Sequence, residues 1–303
     1  MAEKTTIAIM SPGDMGHAIG RALLSSAENK FRIITNLTER SERTQKLSNS
    51  AGIIDVKTDE EMVQQADYVF SIVASSQAKS LAQRFAPYLH KHKHVIYVDM
   101  NAIAPQTLRS IGELLPHGNF VDGSIIGLPP GTPGYNCTLY LSGEHAQKIA
   151  DLFQYTNLMK VRVIGSEIGQ ASKLKMCEGS LLKGLTAVGI QAFIAAKSFG
   201  LDEILFDHLK QTMPDLFDKL SRFIPHTPPK AARWAGEMEE ISKMFEGVGL
   251  SSKIFQGAAE TYRFIAEKTP LGDETIEDRK QGLTLHDAIE IMNQSLEKST
   301  LNE

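Results

Sequence analysis

The sequence predicts an α/β protein in two parts. Residues 1–165 read as a doubly wound, mostly parallel sheet, and residues 166–303 as an all-α domain that begins with one long interdomain helix. Three observations carry this. Short apolar runs alternate with helical patterns through the first half, as repeated βα units do. Residues 168–200 contain no proline, and apolar side chains recur at helical spacing, at Leu174, Cys177, Leu181, Leu185, Val188, Ala192 and Ala195. Beyond Gly200 the pattern is helical almost to the end.

Bulk properties narrow the function classes. The 303 residues are 42% hydrophobic and 22% charged, enough apolar material for two ordinary cores. A net charge of −4 gives no reason to expect nucleic acid or an anionic membrane as partner. The two cysteines, Cys137 and Cys177, fall in different predicted domains, so neither a disulfide framework nor a metal site is expected. The N-terminal run is too short for a signal peptide, and no apolar run is expected to approach the length of a membrane span. The expectation is a cytoplasmic protein with a small-molecule partner.

The first element is a strand over 5–10. It is followed by Ser11-Pro12-Gly13-Asp14-Met15-Gly16 and a helical pattern over 18–24. Strand, glycine turn and helix form the context of a dinucleotide fingerprint, so this half is predicted to be Rossmann-like. Gly13 lets the backbone approach a pyrophosphate, Gly16 lets helix and strand pack closely, and the helix N-terminus offers free N–H groups. The first glycine of the usual pattern is replaced by Ser11. A second strand, 31–35, precedes Glu39, Arg40, Ser41, Arg43 and Thr44. A guanidinium and hydroxyls suit a ribose 2′-phosphate, which favours NADP(H), whereas Glu39 is the residue that could serve a ribose hydroxyl of NAD.

Alternation continues with a helix over 60–66, a strand over 68–73, a helix over 77–89, a strand over 95–99 and a helix over 104–115. Strands follow at 120–126, 138–141 and 160–164. Ligands of such sheets bind at the carboxyl ends of the strands. The loops 11–16, 73–77, 100–105 and 122–134 are therefore candidates, and Val73, Ala74 and Asn101 join the predicted cofactor contacts. His90, His92 and His94 alternate with lysines and read as a solvated loop. The long helix, about 48 Å at 1.5 Å per residue, stops at Gly200. Helices are expected at 202–213, 214–223, 231–247, 252–268 and 285–295, with loops at 224–229 and 269–274 and frayed final residues.

These motifs resemble the β-hydroxyacid dehydrogenase and 6-phosphogluconate dehydrogenase superfamily over almost the whole chain. Its turn G-x-G-x-M-G corresponds to residues 11–16, and its N-R-T or N-R-S motif to Glu39-Arg40-Ser41. Its segment D-x-S-x-x-S-P corresponds to Asp99-Met100-Asn101-Ala102-Ile103-Ala104-Pro105. The family's catalytic motif G-x-G-x-x-x-K-x-x-N falls on Gly169 to Glu178. The register that also fits the downstream Gly200 makes Lys175 the catalytic lysine, and the competing register makes it Lys173. Glu178 stands where the family has asparagine and, one turn on from Lys175, is a catalytic candidate that could hydrogen-bond substrate or hold Lys175 charged. In the substrate loop, D-A-P-V-S-G-G becomes Asp122-Gly123-Ser124-Ile125-Ile126-Gly127-Leu128, so the acid-binding serine and second glycine are lost.

The stretches DGSIIGLPP, LYLSG and KAARWAGEMEEI look most like a subgroup of phosphogluconate-dehydrogenase-like proteins, and the DG-x-I-x-x-x-P loop is similar to that of imine reductases. The resemblance implies an NADP(H)-dependent oxidoreductase acting on a hydroxy or carbonyl compound in an interdomain cleft. Lys175 would be general acid or base, and Asn101, Ser124, Ile126 and Gly127 would contact substrate; Trp234 and Met238 are candidates to line the cleft as well, with core packing the favoured role for each. It also implies a homodimer through the helical domain. Reduction of an imine, and cofactor binding without catalysis, are the two competing readings. Substrate identity and reaction direction stay open.

Overall fold

A computed structural model describes residues 4–26, 30–135 and 137–300. The contacts of the chain divide it into two compact units, Met1–Met176 and Cys177–Glu303.

The first unit is built on one eight-stranded sheet. Its strands are β1 (Thr5–Ile9), β2 (Phe31–Thr35), β3 (Ile54–Asp55), β4 (Tyr68–Ser71), β5 (Ile96–Asp99), β6 (Phe120–Ile126), β7 (Thr138–Ser142) and β8 (Lys160–Gly165). They lie in the order β3-β2-β1-β4-β5-β6-β7-β8. The sheet reverses direction about β1, as in a doubly wound fold, so the ends of β1 and β4 border a crevice at the switch point. All pairings are parallel except β6 with β7. The helices α1 (Asp14–Ser26), α2 (Glu42–Ser50), α3 (Asp59–Gln65), α4 (Ser75–Lys91), α5 (Pro105–Gly112) and α6 (Ala146–Leu152) connect the strands. Two apolar clusters form its core. One gathers Ile7, Ile9, Ile19, Leu23 and Val121; the other gathers Ala8, Ile34, Val69, Phe85 and Tyr97. Consecutive β1 residues fall in different clusters, the period-2 signature of a sheet buried on both faces.

Three elements have no counterpart in the sequence reading: α2, β3 and α6. The segment ERTQKLSNS of α2 has one apolar side chain and gives no periodic signal. It is started by Ser41, whose Oγ accepts a hydrogen bond from the Thr44 N–H. The two residues of β3 are strand only because β2 supplies their register.

The long helix α7 runs Gln170–Ser198. By length and composition it is the one described helix long and apolar enough to cross a membrane, which the sequence reading did not register. Half of its apolar window is buried inside the protein, as in the core helix of a folded domain. The leucine repeat that betrays the helix is not its buried face. Leu181, Leu185 and Val188 are 67%, 45% and 60% exposed, while Ala187, Ile190 and Phe193 are buried.

The second unit contains α8 (Asp202–Thr212), α9 (Pro214–Phe223), α10 (Ala231–Gly247), α11 (Lys253–Lys268) and α12 (Leu285–Thr300). Here α10 and α11 pack through Trp234 against Tyr262, with ring centroids 5.4 Å apart, and Phe245 against Phe255, 4.5 Å apart. Gly189 of α7 lets α9 approach, because a Cβ there would lie 2.8 Å from Leu220. The proline-rich 224–229 segment, expected as plain loop, winds into two 3₁₀ turns, Ile224–His226 and Pro228–Lys230. Each begins at or beside a proline, whose fixed φ suits a helical start. Pro270–Asp273 does the same. The expected fraying of the final residues, 301–303, lies outside the described residues.

Candidate functional site

The glycine turn has the geometry the fingerprint requires. A Cβ on Gly16 would sit 2.3 Å from the Ser11 carbonyl oxygen, so only glycine lets α1 close on β1. A Cβ on Gly13 would meet nothing within 4 Å, so the backbone faces open space there. Helix α1 begins at Asp14, immediately after that opening. Open space over a glycine backbone at a helix N-terminus is what a dinucleotide pyrophosphate needs. Pro12 and Gly16 are buried, whereas Ser11, Gly13, Asp14 and Met15 are half-buried at the rim.

The segment after β2 leans on this turn. Arg40 Nη2 donates to the Met10 carbonyl at 3.1 Å, and Arg43 pairs with Asp14 at 2.6 Å. Glu39 takes a left-handed φ of 61°, an uncommon conformation for a residue with a side chain. Burial and the neighbouring Arg84 guanidinium lower the pKa of Arg40, while Asp59 and Glu39 oppose that shift. β2 itself ends in Thr35, whose hydroxyl is spent on the Ile9 carbonyl at 2.7 Å. The carboxylates nearest that end, Asp55 of β3 and Asp59, accept from the Leu37 N–H at 3.1 Å and from Asn36 Nδ2 at 2.8 Å. Ser41 is exposed and already serves as the cap of α2.

At the ends of β4 and β5 the picture differs from expectation. Val73 and Ala74 are half-buried beside the start of α4. Asn101, expected to touch cofactor or substrate, is buried and turned inward. Its Oδ1 accepts from the Val73 N–H at 2.6 Å, and its Nδ2 donates to Ser71 Oγ at 2.8 Å and Asp99 Oδ2 at 3.0 Å. Its amide ties two strand ends together and so shapes the 73–77 loop.

A buried acid pair lies next along the sheet. Asp99 and Asp122 are in register on β5 and β6, and both are fully buried. Asp122 is the anchor of α7. Its Oδ2 accepts from the Gly169 N–H at 2.9 Å, the Ser172 N–H at 3.1 Å and Ser142 Oγ at 2.9 Å, and its Oδ1 accepts from Ser172 Oγ at 2.6 Å. A carboxylate from a neighbouring strand thus caps the helix that carries the candidate lysines. Burial raises the Asp122 pKa, and these donors pull it back. Asp99 accepts from the Asn101 N–H at 2.9 Å and from Asn101 Nδ2 at 3.0 Å. Burial pushes it up to about 7, the Asn101 donors lower it, Asp122 raises it, and Lys175 lowers it.

Lys175 and Lys173 separate clearly. Lys175 is half-buried, and its charge bears on Asp99 and on Cys137, whose thiol is pushed up to about 11 by burial. Lys173 and Glu178 are exposed. On β6, Ser124 follows Asp122 by two residues and so shares its face; its buried Oγ finds no hydrogen-bond partner among the described residues. Ile126 is half-buried at the strand end, and Gly127 is exposed with φ 120°, a conformation reserved in practice for glycine. Trp234 and Met238 belong to the second unit. Met238 is fully buried and Trp234 nearly so, packed edge-on to Tyr262. Met238 therefore offers a ligand no surface, and of the two roles open to it core packing is the one it takes. Sequence reasoning missed Asp99, Ser142 and Ser172 as parts of this network. The one available signal was an acid closing the apolar run VIYVD.

Comparison with known proteins follows the same division of the chain. Residues 6–102 match the family described as NADP oxidoreductase, coenzyme F420-dependent. Residues 196–265 match a domain of unknown function, DUF1932. An uncharacterized 28.5 kDa protein encoded in the 7S RNA 5′ region of Methanothermus fervidus is 31% identical over 185 residues, 61% of this chain and 70% of that protein. Among solved structures, the conserved protein MTH1747, described as structurally similar to 3-hydroxyacid dehydrogenases, superposes with a TM-score of 0.61 at 25% identity, covering 86% of this chain and 97% of that one. The 3-hydroxyisobutyrate dehydrogenase of Mycobacterium tuberculosis, solved with L-serine, superposes with a TM-score of 0.66 at 16% identity, covering 96% and 99%.

Proposed function

The chain belongs to the 3-hydroxyacid dehydrogenase-like proteins, oxidoreductases that use a nicotinamide cofactor, and on that premise we propose that it is an NADP(H)-dependent oxidoreductase of small hydroxy or carbonyl compounds with Lys175 as general acid. The observation that carries the reading is the placement of Lys175. It is the half-buried lysine of the first turns of α7, beside the carboxyl ends of β5 and β6.

Bound NADP(H) supplies or accepts the hydride. The chain does the rest. Gly13 and the start of α1 hold the pyrophosphate through open backbone N–H groups, and Arg40 meets the 2′-phosphate. Lys175 gives its proton to the substrate oxygen as charge develops there, or takes it in the oxidative direction, a step worth roughly 10² to 10⁴ in rate. Imine reduction is the second reading. It is supported by Ile126 and Leu128, apolar side chains where the family's substrate loop has an acid-binding serine and glycine. It is opposed by Lys175, since a charged amine repels an iminium.

The assembly reading is a homodimer in which a second copy covers the exposed stripe of α7. A long apolar stripe facing its own two-fold mate is self-complementary, and ridges of leucine and valine are what helix–helix packing uses.

The test is cofactor oxidation with a panel of keto acids, aldehydes and cyclic imines, run with NADPH and with NADH. Lys175→Ala is expected to lose at least about 100-fold in kcat on the best substrate, and Lys173→Ala far less. Full turnover in Lys175→Ala overturns the assignment.

A further inference from the structure

We propose that the Arg43–Asp14 ion pair tunes the dinucleotide turn: Arg43 neutralises an acid that stands at the mouth of the pyrophosphate site, and so sets affinity for NADPH and NADH alike; this rests on the nicotinamide-cofactor reading above.

The turn itself sets up a conflict. The Gly13 carbonyl oxygen is drawn into α1, where it accepts from the His17 N–H at 2.9 Å and from His17 Nδ1 at 2.8 Å. In a trans peptide the N–H lies opposite the C=O. The Asp14 N–H therefore points out of the helix start, the direction from which a helix receives an anion. The same residue carries a carboxylate. Asp14 thus brings to one place a donor that favours a phosphate and a charge that opposes one.

An acid in the first turn is what a helix N-terminus stabilises, because the carboxylate meets the positive end of the dipole. A pyrophosphate seeks the same potential, so the two compete unless the carboxylate is compensated. Arg43 supplies the compensation. Its Nη2 lies 2.6 Å from Asp14 Oδ1, and it comes from the first turn of α2, 29 residues along the chain. That turn is held in place. Ser41 Oγ caps it by accepting from the Thr44 N–H, and Arg40 ties the same segment to the Met10 carbonyl just after β1. The guanidinium is therefore delivered by a segment anchored beside it.

Stability gives this pair little purpose. Its side chains are 41% and 47% exposed, and exposed ion pairs contribute little to folding. Its effect falls on the local field at the start of α1. Both nicotinamide dinucleotides carry the same pyrophosphate, so the pair acts on both. A side chain that held the ribose 2′-phosphate would act on NADPH alone, and that difference separates this role from the one proposed for Arg40.

Equilibrium titration with NADPH and with NADH, followed by nicotinamide fluorescence, reads the effect without turnover. Arg43→Ala is expected to weaken both about tenfold, the order of one uncompensated charge beside an anion in a half-exposed place, with the urea midpoint unchanged. Adding Asp14→Asn to Arg43→Ala is expected to restore most of the affinity for both, since it removes the charge that Arg43 offsets. Asp14→Asn alone is expected to tighten both by about twofold or more, a measurement that does not depend on Arg43→Ala folding. Loss confined to NADPH, unchanged binding in Arg43→Ala, or a double variant as weak as Arg43→Ala would overturn the proposal. So would binding that is unchanged or weaker in Asp14→Asn alone. Wild-type protein that binds neither nucleotide would instead reject the cofactor reading on which the pair's role stands.

Discussion

Over residues 170–176 the long helix α7 is held by buried polar groups, and over 177–198 the same helix shows a bare apolar stripe. In the first stretch Asp122 receives the Gly169 and Ser172 N–H groups and two hydroxyls. In the second, Leu181, Leu185 and Val188 stand open. Both stretches share one helical period and one unbroken hydrogen-bond ladder. The second is also bound within its own unit, by buried Ala187, Ile190 and Phe193, by the Lys183–Glu237 ion pair and by Gln191 Nε2 donating to Thr261 Oγ1 at 3.0 Å; what differs is what each leaves facing outward. The first depends on directional hydrogen bonds to a charge, which fix a lysine in place. The second offers non-directional apolar area, which has value only when something covers it. A helix can therefore carry a precise site at one end and an adhesive face along the rest, with no change in its own conformation.

The largest effect that tests this contrast is expected from Asp122→Ala. The substitution strands four donors, two hydroxyls and two helix-start N–H groups, in a buried place. Hydrogen bonds to a charged acceptor are worth about 1.5–3 kcal/mol each, and they do not add fully. A loss of about 3–5 kcal/mol in urea denaturation is expected. A loss below about 1 kcal/mol would show that the start of α7 is held by its apolar neighbours, and the contrast between the two stretches would disappear.

Asp99→Asn is expected to act next in size, through pH. An unfolded Asp titrates near 3.9, and burial pushes the folded Asp99 up to about 7. Between those values the folded protein holds a proton that the unfolded chain has released. Stability therefore falls as pH rises through this window and levels off above it. The penalty is of order 2–4 kcal/mol when complete. The Asn variant carries no such slope, so its stability relative to wild type is expected to improve from pH 4 to pH 7 in parallel urea titrations. Parallel curves for the two proteins would mean that Asp99 is ionised throughout, and that the acid pair is not the low-dielectric feature that sets the first stretch apart.

How far the sequence revealed this contrast follows from the range of the interactions involved. Local signals were readable: β2 at Phe31–Thr35, β6 at Phe120–Ile126, α9 at Pro214–Phe223 and α10 at Ala231–Gly247 match the expected bounds. Each is either an apolar run or a strong 3.6 period ended by proline or glycine. The tight packing at Gly16 and the open backbone at Gly13 were readable because a turn between strand and helix leaves few alternatives. The anchoring of α7 was not. Asp122 reaches Ser172 across 50 residues, and no periodicity encodes a contact at that distance. Asn101 misled for the same reason. A polar amide in a loop at a strand end reads as a ligand contact, yet Ser71, 30 residues earlier, claims it. The direction of β7 was equally hidden, since alternation is the same in either sense. The stripe from Leu174 to Ala195 was found by its spacing, but spacing reports that a face is apolar and not what it meets.

That last distinction gives the smallest expected effect on the folded chain. Leu181→Glu and Leu185→Glu place charges on the stripe where the side chains already meet solvent. Leucine and glutamate have nearly equal helix propensity, so each substitution is expected to change the intrinsic unfolding free energy of the dilute, dissociated chain by no more than about 0.5 kcal/mol. The same substitutions are expected to abolish the proposed dimer, in which two leucine stripes facing across a two-fold axis would become two rows of like charge without water to solvate them. Sedimentation at several concentrations reads the second outcome and urea denaturation of the dilute protein the first. A dimer that survives both substitutions removes the second copy from α7. A monomer that unfolds several kcal/mol sooner would mean that the stripe is core after all, and that both stretches of the helix are held by burial within one chain.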